Sequence, residues 1–304
     1  MSVRITQQSV NRSTLSDIGM NLKKMQDIQE KLSSGKQINR PSDNPSATRK
    51  ILGLKTEDSQ IQQFLNNVAT AKENINYTSD ALGGIHELFA KVKVLAVQAG
   101  NDALGLPERQ IIASEINQLA ESAVQFANTT DSSGRYIFSG TKTQTIAFAP
   151  TRDSVGNMTA VSYNGNNEAI QYQIGPRTQM QVNLPGGAFF QDNQFFSTLI
   201  SMRDALKAQT FDHDAFLGLK KTLDTASDTL STEITKFGAK LNRLDITTSR
   251  FENSQVIMKE MISYTEDVDM AALIMDLKHQ ETVLQSSLDV GGRILQPTLL
   301  SFLR

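Results

Sequence analysis

The chain has no cysteine and no tryptophan, and its aromatic residues amount to 6%. Without cysteine there can be no disulfide, thiolate nucleophile or cysteine metal site. In a small secreted domain, packing or oligomerisation would have to supply what cross-links otherwise supply. Few aromatics among 39% hydrophobic residues leave a core of Leu, Ile, Val, Ala and Met, a set suited to helix packing. An excess of one charge is also missing. The net charge of −2 and pI near 6.0 exclude the basic face that bulk nucleic-acid binding requires. No Lys/Arg run forms a polybasic anchor, and no apolar run approaches the ~20 residues that cross a bilayer. The opening segment, Met1 to Asp17, has neither the basic start nor the apolar centre of a secretory signal. It also lacks the Met-Gly of a myristoylation site. Neither nucleic-acid binding nor membrane insertion is expected.

Catalytic patterns are missing too. His86, His213 and His279 are far apart and lack metal-ligand spacing. Asp212 and Asp214 beside His213 read as an acidic helix start. There is no phosphate loop, dinucleotide turn, zincin helix or nucleophile elbow; Gly140 to Thr143 is only a fragment of a phosphate loop. Glu266, Asp267 and Asp269 read as a solvated helix N-terminus, with a subunit contact as the alternative. Met258, Met261, Met270 and Met275 read as adaptable core filler. The expectation is a non-enzyme with no cofactor and no metal.

What is present is helical periodicity at both ends. Leu15, Ile18, Leu22, Met25 and Leu32 recur at alternating steps of three and four, with Gln29 in the one polar slot, a coiled-coil-like seam. Gly35 suits a left-handed helix C-cap. After a turn-rich stretch, Asn44 suits an N-cap with Pro45 at the first helical position. A longer seam then runs from Leu54 through Ile61, Val68, Ile75, Leu82 and Phe89 to Ala99. A helix over 45–100 would be about 80 Å long, too long for a small sphere. Gly83 and Gly84 interrupt it and mark a kink or a close helix approach. Pro107 and Glu108 open another helix with Ile112, Ile116, Leu119, Ala123 and Phe126 on one face.

Near residue 130 the period changes to two. Tyr136, Ile137 and Phe138 form a short apolar run, and Gly156-Asn157 and Asn164-Gly165 are hairpin signals. Ile170, Tyr172 and Ile174 alternate with polar neighbours, as do Met180, Val182 and Leu184. Helical spacing returns at Phe195, followed by a second long seam from Leu230 through Phe237, Leu244 and Phe251 to Ile262. Leu273, Leu277, Leu284 and Leu288 make a further stripe, broken at Gly291-Gly292. An apolar tail with Ile294, Leu295, Leu299, Leu300, Phe302 and Leu303 closes the chain, where termini are ordinarily polar.

The expected fold is mainly α with a small β insertion: a long antiparallel coiled-coil-like helical rod from both termini. The expected division is 1–44 with 256–304 as terminal axial segments, 45–133 with 195–255 as a helical rod, and 134–194 as an outer β domain. Helices of this kind gain most of their stability from burying an apolar face. The predicted assembly interface is therefore Ile5, Leu15, Ile18, Leu22, Met25, Leu32, Leu273, Leu277, Leu284, Leu288, Ile294, Leu299, Leu300, Phe302 and Leu303. The first ~40 and last ~45 residues are expected to be flexible alone and helical when assembled.

Two segments carry a family resemblance. Lys31-Leu32-Ser33-Ser34-Gly35-Lys36-Gln37-Ile38-Asn39-Arg40-Pro41-Ser42-Asp43 resembles the N-terminal block of bacterial flagellins and flagellar hook-associated proteins. The stretch Phe126 to Thr143, with Gly134-Arg135-Tyr136-Ile137-Phe138-Ser139-Gly140 at its centre, resembles the FlgL-type hook-associated branch and speaks against a short filament flagellin, the alternative. Glu266 to Leu288 and Ile294 to Arg304 are also flagellin-like. The resemblance implies a structural subunit at the hook–filament junction, with inner terminal helices and a solvent-facing β domain. It implies sibling subunits, a neighbouring hook-associated protein and flagellin as partners. It also implies an extracellular place in the flagellum, reached unfolded through the flagellar type III channel with an export chaperone. It carries over no catalytic residue.

Overall fold

The computed structural model describes residues 7–101 and 104–295. Its elements are α1 (Gln7–Ser34), α2 (Pro45–Ala99), α3 (Leu106–Ala127), β1 (Phe148–Arg152), β2 (Met158–Tyr163), β3 (Gln171–Gly175), β4 (Thr178–Gln181), α4 (Phe195–Lys207), α5 (His213–Glu266) and α6 (Met270–Leu295). A mainly helical chain with a small β insertion is thus what forms. Among the described residues no helix is long and apolar enough to cross a membrane. The chain divides into two compact units, Met1–Ser59 with Ser254–Arg304 and Gln60–Asn253.

In the second unit the α2 seam is buried as its spacing predicts. Val68, Ala71, Ile75, Leu82, Ile85, Phe89, Val92, Ala96 and Ala99 all lie in the core. Helix α5 runs antiparallel to α2. Phe64 stacks on Phe251 with centroids 5.7 Å apart, and Lys72–Asp245 and Lys93–Asp224 pair at 2.6 and 3.1 Å. Leu230, Phe237 and Leu244 on α5 are buried. The Gly83-Gly84 pair causes no break; a Cβ on Gly84 would come 2.6 Å from the Phe126 ring, so the glycine admits a close approach by α3.

The insertion consists of two separate antiparallel hairpins, β1–β2 and β3–β4. Phe148 faces Tyr163 and Gln171 faces Gln181, each hairpin carrying one register irregularity. Gly156, at φ +93°, turns the first hairpin as expected. Asn164-Gly165 instead lies in the irregular link from β2 to β3, and Pro176-Arg177 forms the second hairpin loop. Tyr136 to Phe138 is not a strand either. The backbone N–H of Tyr136 donates to Thr143 O, and Phe138 is buried edge-on to Phe190 at 5.2 Å. Phe190 sits in a π-helical turn, Gly187–Gln191, and also packs on Phe148 and Phe195 at 5.4 and 5.3 Å. Aromatic packing, not strand pairing, holds the insertion to α4.

Candidate assembly interface

In the first unit, α1 and α6 pack antiparallel. Gly291 lies against Thr14 and Ile18, Ser287 meets Asn21, and Lys36 bridges to Asp267. Gly291-Gly292 therefore does not end the terminal helix, as the sequence suggested. A Cβ at Gly291 would sit 3.0 Å from Ile18 Cδ1, so the glycine is a notch for that side chain and α6 continues to Leu295.

The inward positions of α1 are Asn11, Thr14, Ile18, Asn21, Met25, Ile28 and Leu32, which are half-buried. Opposite them stand Leu273 (buried) and Leu277, Gln280, Leu284, Ser287 and Ile294 (half-buried). The predicted interface residues thus split. Ile18, Met25, Leu32, Leu273, Leu277, Leu284 and Ile294 meet within the pair, while Leu15, Leu22 and Leu288 remain 57%, 44% and 48% exposed. Leu15 and Leu22, seven residues apart, share one stripe of α1. Ile5, Leu299, Leu300, Phe302 and Leu303 lie outside the described residues. Ile28, Asn21, Gln280 and Ser287 were not anticipated; the three-and-four spacing through Ile18, Met25, Ile28 and Leu32 was the available signal. Met270, Ile274, Met275 and Val290 add further exposed apolar surface on α6, so Met270 and Met275 are not core filler.

The turn between α1 and α2 is built by side chains. Gly35, at φ +69°, ends α1, and its N–H donates to Lys31 O at 2.9 Å. The Asp43 carboxylate accepts the backbone N–H groups of Asn39 and Arg40 at 3.1 and 2.8 Å. The bond from Arg40 is the main reason that its carboxyl titrates below the ordinary range. Arg40 also forks onto Glu30 at 3.1 and 2.9 Å. Asn44 caps α2, its Oδ1 accepting Ala47 N–H at 3.0 Å, as expected for Asn-Pro at a helix start.

This turn is stitched to the junction of α5 and α6. Gln37 N–H donates to Glu266 O at 2.7 Å and Val268 N–H to Gly35 O at 3.1 Å. Glu266 is not part of a solvated helix start. Its side chain is 9% exposed and receives Lys36 Nζ at 2.6 Å and Lys55 Nζ at 2.9 Å. Burial pushes this carboxyl up, but the hydrogen bonds and charges of the two lysines outweigh it and hold it below its ordinary value. Asp269 does cap a helix, accepting Ala271 and Ala272 N–H at 2.9 and 3.2 Å. Among the described residues no group of His, Asp and Glu side chains is placed to hold a metal ion.

In the second unit, the stretch 126–143 forms the joint between α3 and the β insertion. Asp131 Oδ1 accepts the backbone N–H groups of Ser133 and Arg135 at 2.8 and 2.9 Å, and Oδ2 accepts Arg135 Nε at 2.7 Å. Gly134 and Gly140 adopt φ +75° and +68°, conformations that side chains rarely take. At Gly140 a Cβ would collide with the backbone oxygen of Asn166. Every glycine in Gly-Arg-Tyr-Ile-Phe-Ser-Gly is therefore required by the turn it makes.

The architecture is thus one of N- and C-terminal helices with a small β insertion between them. The chain belongs to the flagellin family: residues 5–143 match the bacterial flagellin N-terminal helical region and residues 221–303 the C-terminal helical region. It is 26% identical over 281 residues to flagellar hook-associated protein 3 of Escherichia coli, covering 85% of this chain and 86% of that one. It is 26% identical over 308 residues to a flagellin of Bacillus subtilis, covering 94% of each. Its fold resembles the crystal structure of flagellar hook-associated protein 3 from Legionella pneumophila, with TM-score 0.63 and 16% identity, covering 70% of this chain and 98% of that one.

Proposed function

We propose that this chain is a structural subunit of the hook–filament junction, joining the hook-side junction protein to flagellin by helical packing. The observation that carries the proposal is the joint at 126–143. Its sequence resembles that of hook-associated proteins, within the stretch matched to the flagellin N-terminal helical region, and its Asp131 turn and Gly140 contact form a built unit. The near full-length match to hook-associated protein 3 agrees with it. The terminal segments 1–44 and 256–304 act as the assembly domain, 45–133 with 195–255 as the rod and 134–194 as the outer domain. Leu15, Leu22 and Leu288, exposed in the single chain, are covered by sibling subunits or axial neighbours; each is already about half covered, so completing its burial contributes about 1 kcal/mol. Export through the flagellar type III channel, with an export chaperone over the terminal arms, and an extracellular location follow from this role.

A strain lacking the chain tests the proposal. The expected result is a complete hook without an attached filament and flagellin released into the medium. Filaments that remain attached to hooks in that strain would overturn it. The second reading, a short filament flagellin, has the equal identity to the Bacillus subtilis protein in its favour. It predicts instead that the chain is distributed along the filament.

A further inference from the structure

Helix α1 offers two overlapping apolar faces, and the α1–α6 pair buries the one through Ile18, Met25, Ile28 and Leu32 rather than the one through Leu15, Ile18, Leu22 and Met25. Turning α1 about its own axis by roughly 50° would bring Leu15 and Leu22 inward beside Ile18 and Met25, and would move Asn21 and Ile28 out. That setting would bring in two leucines but would also bring Gln29 into the seam. The observed one instead places Asn21 in the seam, where both ends of its amide are used. Nδ2 donates to Ser287 Oγ at 3.0 Å, and Oδ1 lies 3.4 Å from Gln280 Nε2, which also donates to the Asn21 backbone oxygen at 3.2 Å. Ser287 Oγ in turn donates to Val283 O at 2.8 Å. Next along the seam, the Gly291 notch receives Ile18.

We infer that the Asn21–Gln280–Ser287 layer selects the face of α1 that packs on α6, and so keeps Leu15 and Leu22 turned outward. A polar residue at one seam position lowers the stability of a helix pair but specifies its geometry, because a setting that turns Asn21 outward leaves the Gln280 amide in the seam without its partner. The layer keeps Leu15 and Leu22 out of the pair and leaves that stripe available for another subunit. That last consequence rests on the junction role proposed above; the face selection itself does not.

The absence of cysteine makes the test direct. Single substitutions Leu15→Cys and Ile28→Cys are made in the full chain and in the triple variant Asn21→Ala, Gln280→Ala, Ser287→Ala, and thiol labelling rates are measured on isolated protein. In the parent background, position 15 is expected to label about tenfold faster than position 28. In the triple variant the order is expected to reverse, with helical content retained. An unchanged order would overturn the inference, since the geometry would then be set elsewhere, for example by the stitch at Glu266. Fast labelling at both positions would overturn it too, because the layer would then hold the helices together without choosing a face. Both readings come from unassembled protein, so failure of the junction role would leave them unaffected.

Discussion

Glu266→Gln keeps the shape of the side chain and removes its charge, which isolates the ion pairs that tie the α1–α2 turn to the α5–α6 junction. Lys36 and Lys55 donate at 2.6 and 2.9 Å, but both ammonium-bearing side chains are nearly half exposed (44% and 47%). Solvent screening therefore discounts each bond to about 1 kcal/mol, and the pair to about 2 kcal/mol. That is roughly a thirtyfold larger open population of the stitch. The assay is amide hydrogen exchange at Gln37 and Val268, whose N–H groups donate to Glu266 O and Gly35 O and are freed when the stitch opens. The Glu266 carboxyl is held below its ordinary 4.5, so its stabilising contribution is complete above pH 4.5 and is lost as the pH falls through the lower folded value. Parent and variant should differ at pH 7 and converge in acid. Equal protection of both amides at pH 7, or a gap that does not narrow as the pH is lowered below 4.5, would refute the reasoning.

Gly140→Ala places a Cβ at φ +68° against the backbone oxygen of Asn166. It should destabilise the second unit by about 3 kcal/mol or more, read as a lower denaturant midpoint. Arg203, 4% exposed, donates to Met158 O at 2.5 Å and Asn117 Oδ1 at 2.8 Å, tying α4 to β2 and α3. Arg203→Ala leaves the buried Met158 oxygen without this donor and the half-buried Asn117 without its partner, and should cost about 2 kcal/mol in thermal unfolding; a shift under 0.5 kcal/mol would contradict the packing described. In isolated chain, α1 and α6 should show amide protection but exchange faster than the α2 segment from Val68 to Ala99, and both should gain further protection in assembled hook–filament preparations.

The sequence exposed some of this plainly and concealed the rest for identifiable reasons. The α2 seam was legible because its apolar positions from Val68 to Ala99 are buried in the core, and the polar member among them, Thr78, is satisfied within the helix by Asn74 O. The α1 seam was legible only in part: Ile18, Met25 and Leu32 pack inward, but Leu15 and Leu22, which share their three-and-four spacing, do not, and no periodicity reveals the hydrogen bond that seats Asn21 against a residue 266 positions away. Gly291-Gly292 reads locally as a helix stop, yet Gly291 is a contact surface for Ile18, which only the partner helix discloses. Asn164-Gly165 has hairpin composition, but the loop serves the packing of Tyr163, whose hydroxyl donates to Asn166 O at 2.7 Å. Glu266 sat in an acidic cluster in sequence and became buried because two lysines, 230 and 211 residues away, converge on it.

The most direct test of the assembly role is the triple variant Leu15→Ser, Leu22→Ser, Leu288→Ser, produced in a strain lacking the native chain. These side chains are exposed in the single chain. The variant should therefore keep the thermal midpoint of the parent while its cells carry hooks without filaments. Wild-type filament attachment and motility with this variant would contradict the claim that these outward faces are buried against other subunits.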